Sequence, residues 1–286
     1  MIFDRRNQSA FTLAELIVAA AISIVIVLLL GTMFGSLINT TSHANQRTDA
    51  FRDARAALQM MARDLSSLVK AQPAAYFEIA GDLAGPDVRQ IHALVAVKNK
   101  PAGAGTVGGD LCAVRYYCGW DSTKRAYSLR RYFADSDPTL KAFKANLKSD
   151  GTLNYTASDK LYSQATPPAT DEPIATYAWN LQVVAYDSSG NVINRTSDVN
   201  GHDTTGPYLC DPATSSNPLP ASIEVSFKAI SSAAARTVIG ATSGRANAYD
   251  VWKVVDNAAP LQTDRDIYNR MIAPNAYDFR TRIYLK

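Results

Sequence analysis

The chain has 286 residues, a formal net charge of +3, and 47% hydrophobic against 19% charged residues. That balance excludes a disordered polymer, and the small positive charge, without any basic run, excludes a protein built to hold nucleic-acid phosphates. Histidines at 43, 92 and 202 and three scattered cysteines give no zinc-ligand spacing, and neither G-x-S-x-G nor H-E-x-x-H occurs.

Taken in order, the chain opens on a short segment with Arg5 and Arg6, followed by the apolar run Phe11–Ile38, FTLAELIVAAAISIVIVLLLGTMFGSLI. Its one charge is Glu15, and the next basic side chain of Lys or Arg type is Arg47. As a helix the run measures roughly 42 Å, more than the ~30 Å hydrocarbon core of a bilayer. It is too long for the apolar stretch of a cleaved secretory signal and has no convincing A-x-A site behind it. The two arginines predict a cytoplasmic N-terminus, with everything after the helix outside the cytoplasm. A carboxylate inside such a run is costly enough to imply a partner and a role.

After Ile38 the sequence turns polar without Pro or Gly, and Phe51, Ala54, Leu58, Met61, Leu65 and Leu68 then recur at helical spacing. That stripe predicts an amphipathic helix, with Arg47, Arg52, Asp53, Arg63 and Asp64 on its other faces and an end near Lys70, before Pro73. One helix from about Thr12 to Lys70 would be roughly 90 Å long.

The remainder reads as strands and loops. Tyr76–Ala80 and Ile91–Lys98 are short apolar segments. Pro101–Gly109 is a Gly-rich connection lacking the Lys-Ser/Thr ending of a phosphate loop. Leu111–Tyr117 and Ala126–Phe133 form an expected antiparallel pair joined through Cys118–Asp121. Asp137–Lys148 is a short helix candidate and Leu153–Glu172 a polar loop. Ala175–Asp187 alternates as a strand and turns through Ser188–Asn191 into Val192–Arg195. A long irregular stretch, Thr196–Pro220, precedes a strong strand at Pro220–Ile230. Ala248–Val255 gives a mixed signal, Asp264–Ile272 reads as helix, and Tyr277–Leu285 closes the chain as a strand.

The residues Ser9-Ala10-Phe11-Thr12-Leu13-Ala14-Glu15, behind a short basic leader and ahead of a long apolar helix, resemble the processing site of type IV prepilins and type II secretion pseudopilins. The resemblance implies cleavage between Ala10 and Phe11 by a prepilin peptidase and N-methylation of Phe11, although the family usually has Gly where this chain has Ala10. It also implies that Glu15 pairs with the new α-amine of a neighbouring subunit, each charge offsetting the desolvation of the other in an apolar helical core. More weakly, Pro220–Ile230, Phe279–Leu285 and the stretch ARAALQMMARDL ending at Leu65 look like segments of J-type minor pseudopilins.

The implied fold is α+β and pilin-like, a long N-terminal helix packed on an antiparallel sheet. Its parts are a leader (1–10), a membrane and filament-core helix (11–38), an amphipathic spine (39–72) and a periplasmic β-rich domain (73–286). The implied role is structural, a minor subunit of a secretion pseudopilus with the inner membrane and other pilin-type subunits as partners, not nucleic acid. A minor type IV pilus subunit, or a membrane-anchored periplasmic enzyme or binding protein, are the alternatives.

Two further sites remain as expectations. In an oxidising compartment Cys112 and Cys118 on one hairpin would bridge, with Cys118–Cys210 and Cys112–Cys210 as the other pairings. No cofactor is implied except calcium, which some pseudopilins bind and for which Asp198, Asn200 and Asp203, beside His202, would supply the ligands.

Overall fold

A computed structural model describes residues 12–71, 74–82, 85–97, 110–147, 171–197, 203–205, 208–210, 218–245, 248–252 and 261–285. The Gly-rich connection at 101–109, most of the polar loop at 151–170, and residues 1–11 lie outside them. The chain forms two compact units divided between Thr48 and Asp49, inside the first helix, α1 (Leu13–Ser66).

The described part of the first unit is the leading portion of α1. Hydroxyls are accommodated within it by bonding back to the preceding turn: Ser23 Oγ donates to the Ala19 carbonyl at 2.8 Å, and Thr40 Oγ1 to that of Ser36 at 2.9 Å. Such bonds satisfy the hydroxyl within its own helix.

In the second unit the last turns of α1 bury the predicted stripe. Ala54, Met61 and Leu65 are fully enclosed, Leu58 is half-buried, and Phe51 is edge-exposed but lies 5.1 Å from the rings of both Tyr277 and Phe279. Each large apolar side chain buried in this way contributes about 1.5–3 kcal/mol. The helix stops at Ser66 rather than near Lys70. A strand competes for the next residues: Val69 N donates to the Leu94 carbonyl and Ala96 N to that of Ser67, so that Leu68 bridges Val95.

A six-stranded antiparallel sheet follows, built from β1 (Phe77–Asp82), β2 (Gly85–Ala96), β3 (Leu111–Asp121), β4 (Ala126–Ala134) and β5 (Glu172–Thr176). The spatial order is β5-β4-β3-β2-β1, and a later strand, β9 (Tyr208–Leu209), closes the β1 edge. The expected hairpin of β3 and β4 is present, but its turn lies at residues 122–125 instead of Cys118–Asp121. Asp121 fixes the position, because its carboxylate accepts from the backbone N–H groups of Thr123 and Lys124, and Arg125 takes a left-handed conformation at φ 51°. Helix α2 (Ser136–Asn146) follows β4, close to the expected range.

Tyr177, at φ 57°, divides the predicted strand Ala175–Asp187 into β5 and β6 (Ala178–Tyr186) and passes the chain from the six-stranded sheet to a second one. That second sheet has the order β11-β10-β6, with β10 (Ser222–Ala229) central and β11 (Tyr277–Tyr284) the last strand. Ile223, Val225 and Phe227 alternate inward on β10, as expected of a half-buried strand. The irregular stretch before it holds three short strands, β7 (Arg195–Ser197), β8 (Asp203–Thr205) and β9 (Tyr208–Leu209). Helix α3 (Ser232–Ala241) was not expected from periodicity; Ser231 caps it by accepting from Ala234 N. Near the C-terminus α4 (Gln262–Ile267) continues as a wide turn through Ile272, matching the helical reading of Asp264–Ile272. One core joins these parts, with Met61, Leu65, Tyr116, Val225 and Trp252 among its enclosed side chains. The architecture is α+β, a long N-terminal helix followed by antiparallel sheets.

Candidate functional site

The start of α1 is organised by two side chains. Thr12 Oγ1 accepts from the backbone N–H of Glu15, while the Glu15 carboxylate accepts from Thr12 N at 2.9 Å and from Thr12 Oγ1 at 3.0 Å. This is a capping box, in which Thr and a Glu three residues later each satisfy an otherwise unpaired helix-start donor. Only Oε2 of Glu15 is engaged, and among the described residues no cation lies within ion-pair distance of it. The carboxylate therefore retains room to accept from a further donor.

Behind the cap, Leu13–Ile38 is long and apolar enough to cross a membrane, and its side chains are exposed on every face, from Leu13 to Ile38. A helix apolar all round and uncovered by its own chain needs lipid or other helices around it.

A second group of charges lies inside the globular unit and includes Asp64, which stands off the apolar stripe in the helical pattern. Asp64 is 1% exposed and stands between Tyr116 and Arg131, with Tyr116 Oη donating to it at 2.7 Å and the Arg131 guanidinium at 2.6 and 2.8 Å. The last turn of α1 is thus tied to β3 and β4 at one point. Burial, then the neighbouring Asp64 charge, pushes the Tyr116 hydroxyl above the usual tyrosine range. The next helical position after the apolar Met61 and before Leu65 brings Asp64 inward, and only its partners, far away in sequence, make that tolerable.

The opposite face of the six-stranded sheet carries a cross-strand row of Glu78, His92, Arg115 and Tyr132. Glu78 accepts from Tyr76 Oη at 2.7 Å and lies 3.4 Å from His92 Nδ1. Tyr117 donates to Asp171, and Arg115 lies 4.6 Å over the Tyr117 ring. Burial depresses the Arg115 guanidinium and raises the Tyr117 hydroxyl. These groups engage one another and are enclosed, which is the arrangement of a structural network.

The disulfide expectations are corrected by the sheet. Cys112 and Cys118 lie on the same strand, six positions and ~20 Å apart, whereas a disulfide needs Cα atoms within about 7 Å. Cys210 follows β9, three strands from β3 and so ~14 Å across the sheet, which excludes both other pairings. All three are buried thiols, and burial raises that of Cys118 to about 12. Of the other expected sites, Ala10, Phe11, Asp198 and Asn200 lie outside the described residues, and Asp203 opens β8. Among the described residues no group of three His, Cys, Asp or Glu side chains is placed to hold a metal.

Residues 5–31 match the family model described as the prokaryotic N-terminal methylation motif, the type IV prepilin-like signature. The match covers Ala10, Phe11 and the capping pair Thr12 and Glu15, then runs into the apolar helix. No curated protein matches the chain.

Proposed function

We propose that this protein is a minor subunit of a pseudopilus-type filament in a secretion system. It is made as a prepilin, cut between Ala10 and Phe11 and held in the inner membrane with its N-terminus cytoplasmic. Its globular unit lies in the periplasm before assembly with other pilin-type subunits. The supporting observation is the conjunction of the methylation motif over residues 5–31 with a helix exposed and apolar on all its faces, Leu13–Ile38, ahead of an antiparallel α+β unit. Such a helix suits both a lipid environment and a bundle of like helices, so the same surface serves first as anchor and then as filament core. The role proposed is mechanical, as a subunit of the filament. Minor rather than major status rests on the size of the globular unit.

Glu15 has two separable duties in this reading: it caps the helix start through Thr12, and it receives the methylated amine of Phe11 from an adjacent subunit. Glu15→Gln separates them, since Gln serves equally in a capping box but carries no charge. The variant should retain membrane insertion and lose incorporation into filaments by about tenfold or more, an effect of buried charge pairing. Incorporation equal to wild type would reject the pairing role. Deleting the gene and examining secreted proteins and surface fibres separates a pseudopilus from a type IV pilus: secretion should fail while surface fibres remain.

A further inference from the structure

The outward face of the three-stranded sheet carries an arrangement outside the helix-based assembly just described. From β11 it presents Asp278, Arg280, Arg282 and Tyr284, from β10 Ser222, Glu224 and Lys228, and from β6 Tyr186. Two of its cations have carboxylate partners. Lys228 Nζ lies 3.2 Å from Asp278, its direct cross-strand neighbour, and Arg280 Nε lies 3.4 Å from Glu224, diagonally placed.

Arg282 has none. Its direct cross-strand neighbour is Glu224, yet it bends away and lies over Ser222, which is consequently 3% exposed although it stands on the outward face. Nε donates to Ser222 Oγ at 3.1 Å, and the guanidinium carbon sits 4.1 Å from the Tyr186 ring centroid and 5.8 Å from that of Tyr284. Tyr284 itself is 65% exposed. The guanidinium is held by a hydrogen bond along one edge and by aromatic faces, while among the described residues its two terminal nitrogens have no carboxylate partner.

That is the geometry of a preorganised receptor for a carboxylate. A planar fork fixed in advance loses less conformational entropy when both terminal nitrogens bind, and aromatic walls strengthen the contact by excluding water. Tyrosine and arginine together are also the composition of interface hot spots. Charge decides what kind of partner fits. The face carries Lys228, Arg280 and Arg282 against Glu224 and Asp278, leaving one uncompensated cation among two fixed anions. A polyanion such as nucleic acid, or an anionic lipid surface, needs several cations in a row and would be repelled by the two carboxylates. A symmetric pairing of this face with itself would set one Arg282 against another. We infer that the Tyr186–Arg282–Tyr284 stack docks a single Asp or Glu side chain presented by a different protein chain. The inference does not depend on the filament reading, since a membrane-anchored receptor could use the same face.

The test uses the full-length protein in its native membrane, with p-benzoylphenylalanine replacing Tyr284 so that an aromatic ring remains over Arg282. Photo-crosslinking should give a product with another protein, at a peptide containing Asp or Glu within a few residues of the attachment. Arg282→Gln and Arg282→Lys should each lower its yield by about tenfold, because neither supplies the bidentate fork. Arg280→Gln, on the same face, should leave the yield within about twofold. Arg282→Glu combined with Arg at the identified partner position should restore the product. Failure to obtain a protein crosslink overturns the inference. So does a yield indifferent to Arg282, attachment only to lipid, nucleic acid or a second copy, or a partner peptide without an acidic residue. Unchanged thermal unfolding of Arg282→Gln in detergent excludes misfolding as the cause of a lost product.

Discussion

Asp64 ties helix to sheet, because two partners from different strands converge on it. Asp64→Ala would leave the Arg131 guanidinium largely buried without a counter-charge and is expected to cost about 3–5 kcal/mol, read as a lower midpoint in urea. Adding Arg131→Ala should recover part of that loss, since the isolated charge is then gone; strictly additive losses would mean that the two do not interact. The buried hydroxyls give a second expectation. Tyr116 and Tyr117 hold their protons more tightly when folded than the ordinary tyrosine near pH 10, and the Cys118 thiol is raised from 9.0 to about 12. The folded chain therefore retains protons that the unfolded chain releases, so these contributions are intact below about pH 9 and fall as pH rises. Each group should add ~1.4 kcal/mol per pH unit to the decline once its unfolded form ionises. Unfolding midpoints followed from pH 8 to 11 test it, and a flat profile would contradict it. Residue by residue, the motif matched over residues 5–31 was legible because a basic leader, Phe11, a carboxylate and apolar length lie within one short window. Asp64, Arg131 and Arg282 were not, because their partners are distant in sequence and a helical or strand period says nothing about them.

At the scale of elements, the strongly patterned segments appear where periodicity puts them: the α1 stripe, β10 with Ile223, Val225 and Phe227 inward, and the closing β11. Departures have local causes. α1 ends early because Ser67–Val69 bond to β2, and the β3–β4 turn shifts because Asp121 supplies an Asx-type cap beyond the cysteine. Periodicity does not announce helix α3, although Ser231 is a recognisable cap, since its alanine-rich run presents little apolar period and buries Ala235 and Val238. The same local logic predicts that Ser231→Ala costs about 1 kcal/mol, measurable as a small loss of thermal stability, whereas Ser232→Ala should be near neutral. If the two substitutions cost the same, Ser231 is not acting as a cap. The disulfide expectation failed for a topological reason: spacing suggested a hairpin brace, while the strand runs straight through both cysteines.

For the whole molecule, the division at residue 48 separates the exposed apolar portion of α1 from a unit that encloses a hydrophobic core. The first unit requires an environment, and the second supplies surfaces. The leading part of α1 exposes aliphatic side chains on every face, so the protein is expected to partition into membranes or detergent; removing residues 11–38 should abolish that behaviour. The fold class was legible from an apolar run, an amphipathic stripe and alternating strands, because each is written in local periods. The first passage of the chain from the six-stranded to the three-stranded sheet was not, since it occurs at one residue, Tyr177, in a left-handed conformation that its identity does not announce. The central claim is that the chain is a processed prepilin-type subunit. Intact-mass and N-terminal peptide analysis of the protein from its native membrane tests it most directly: the account predicts a chain beginning at N-methylated Phe11, and a protein retaining Met1 and an unmodified leader would contradict it.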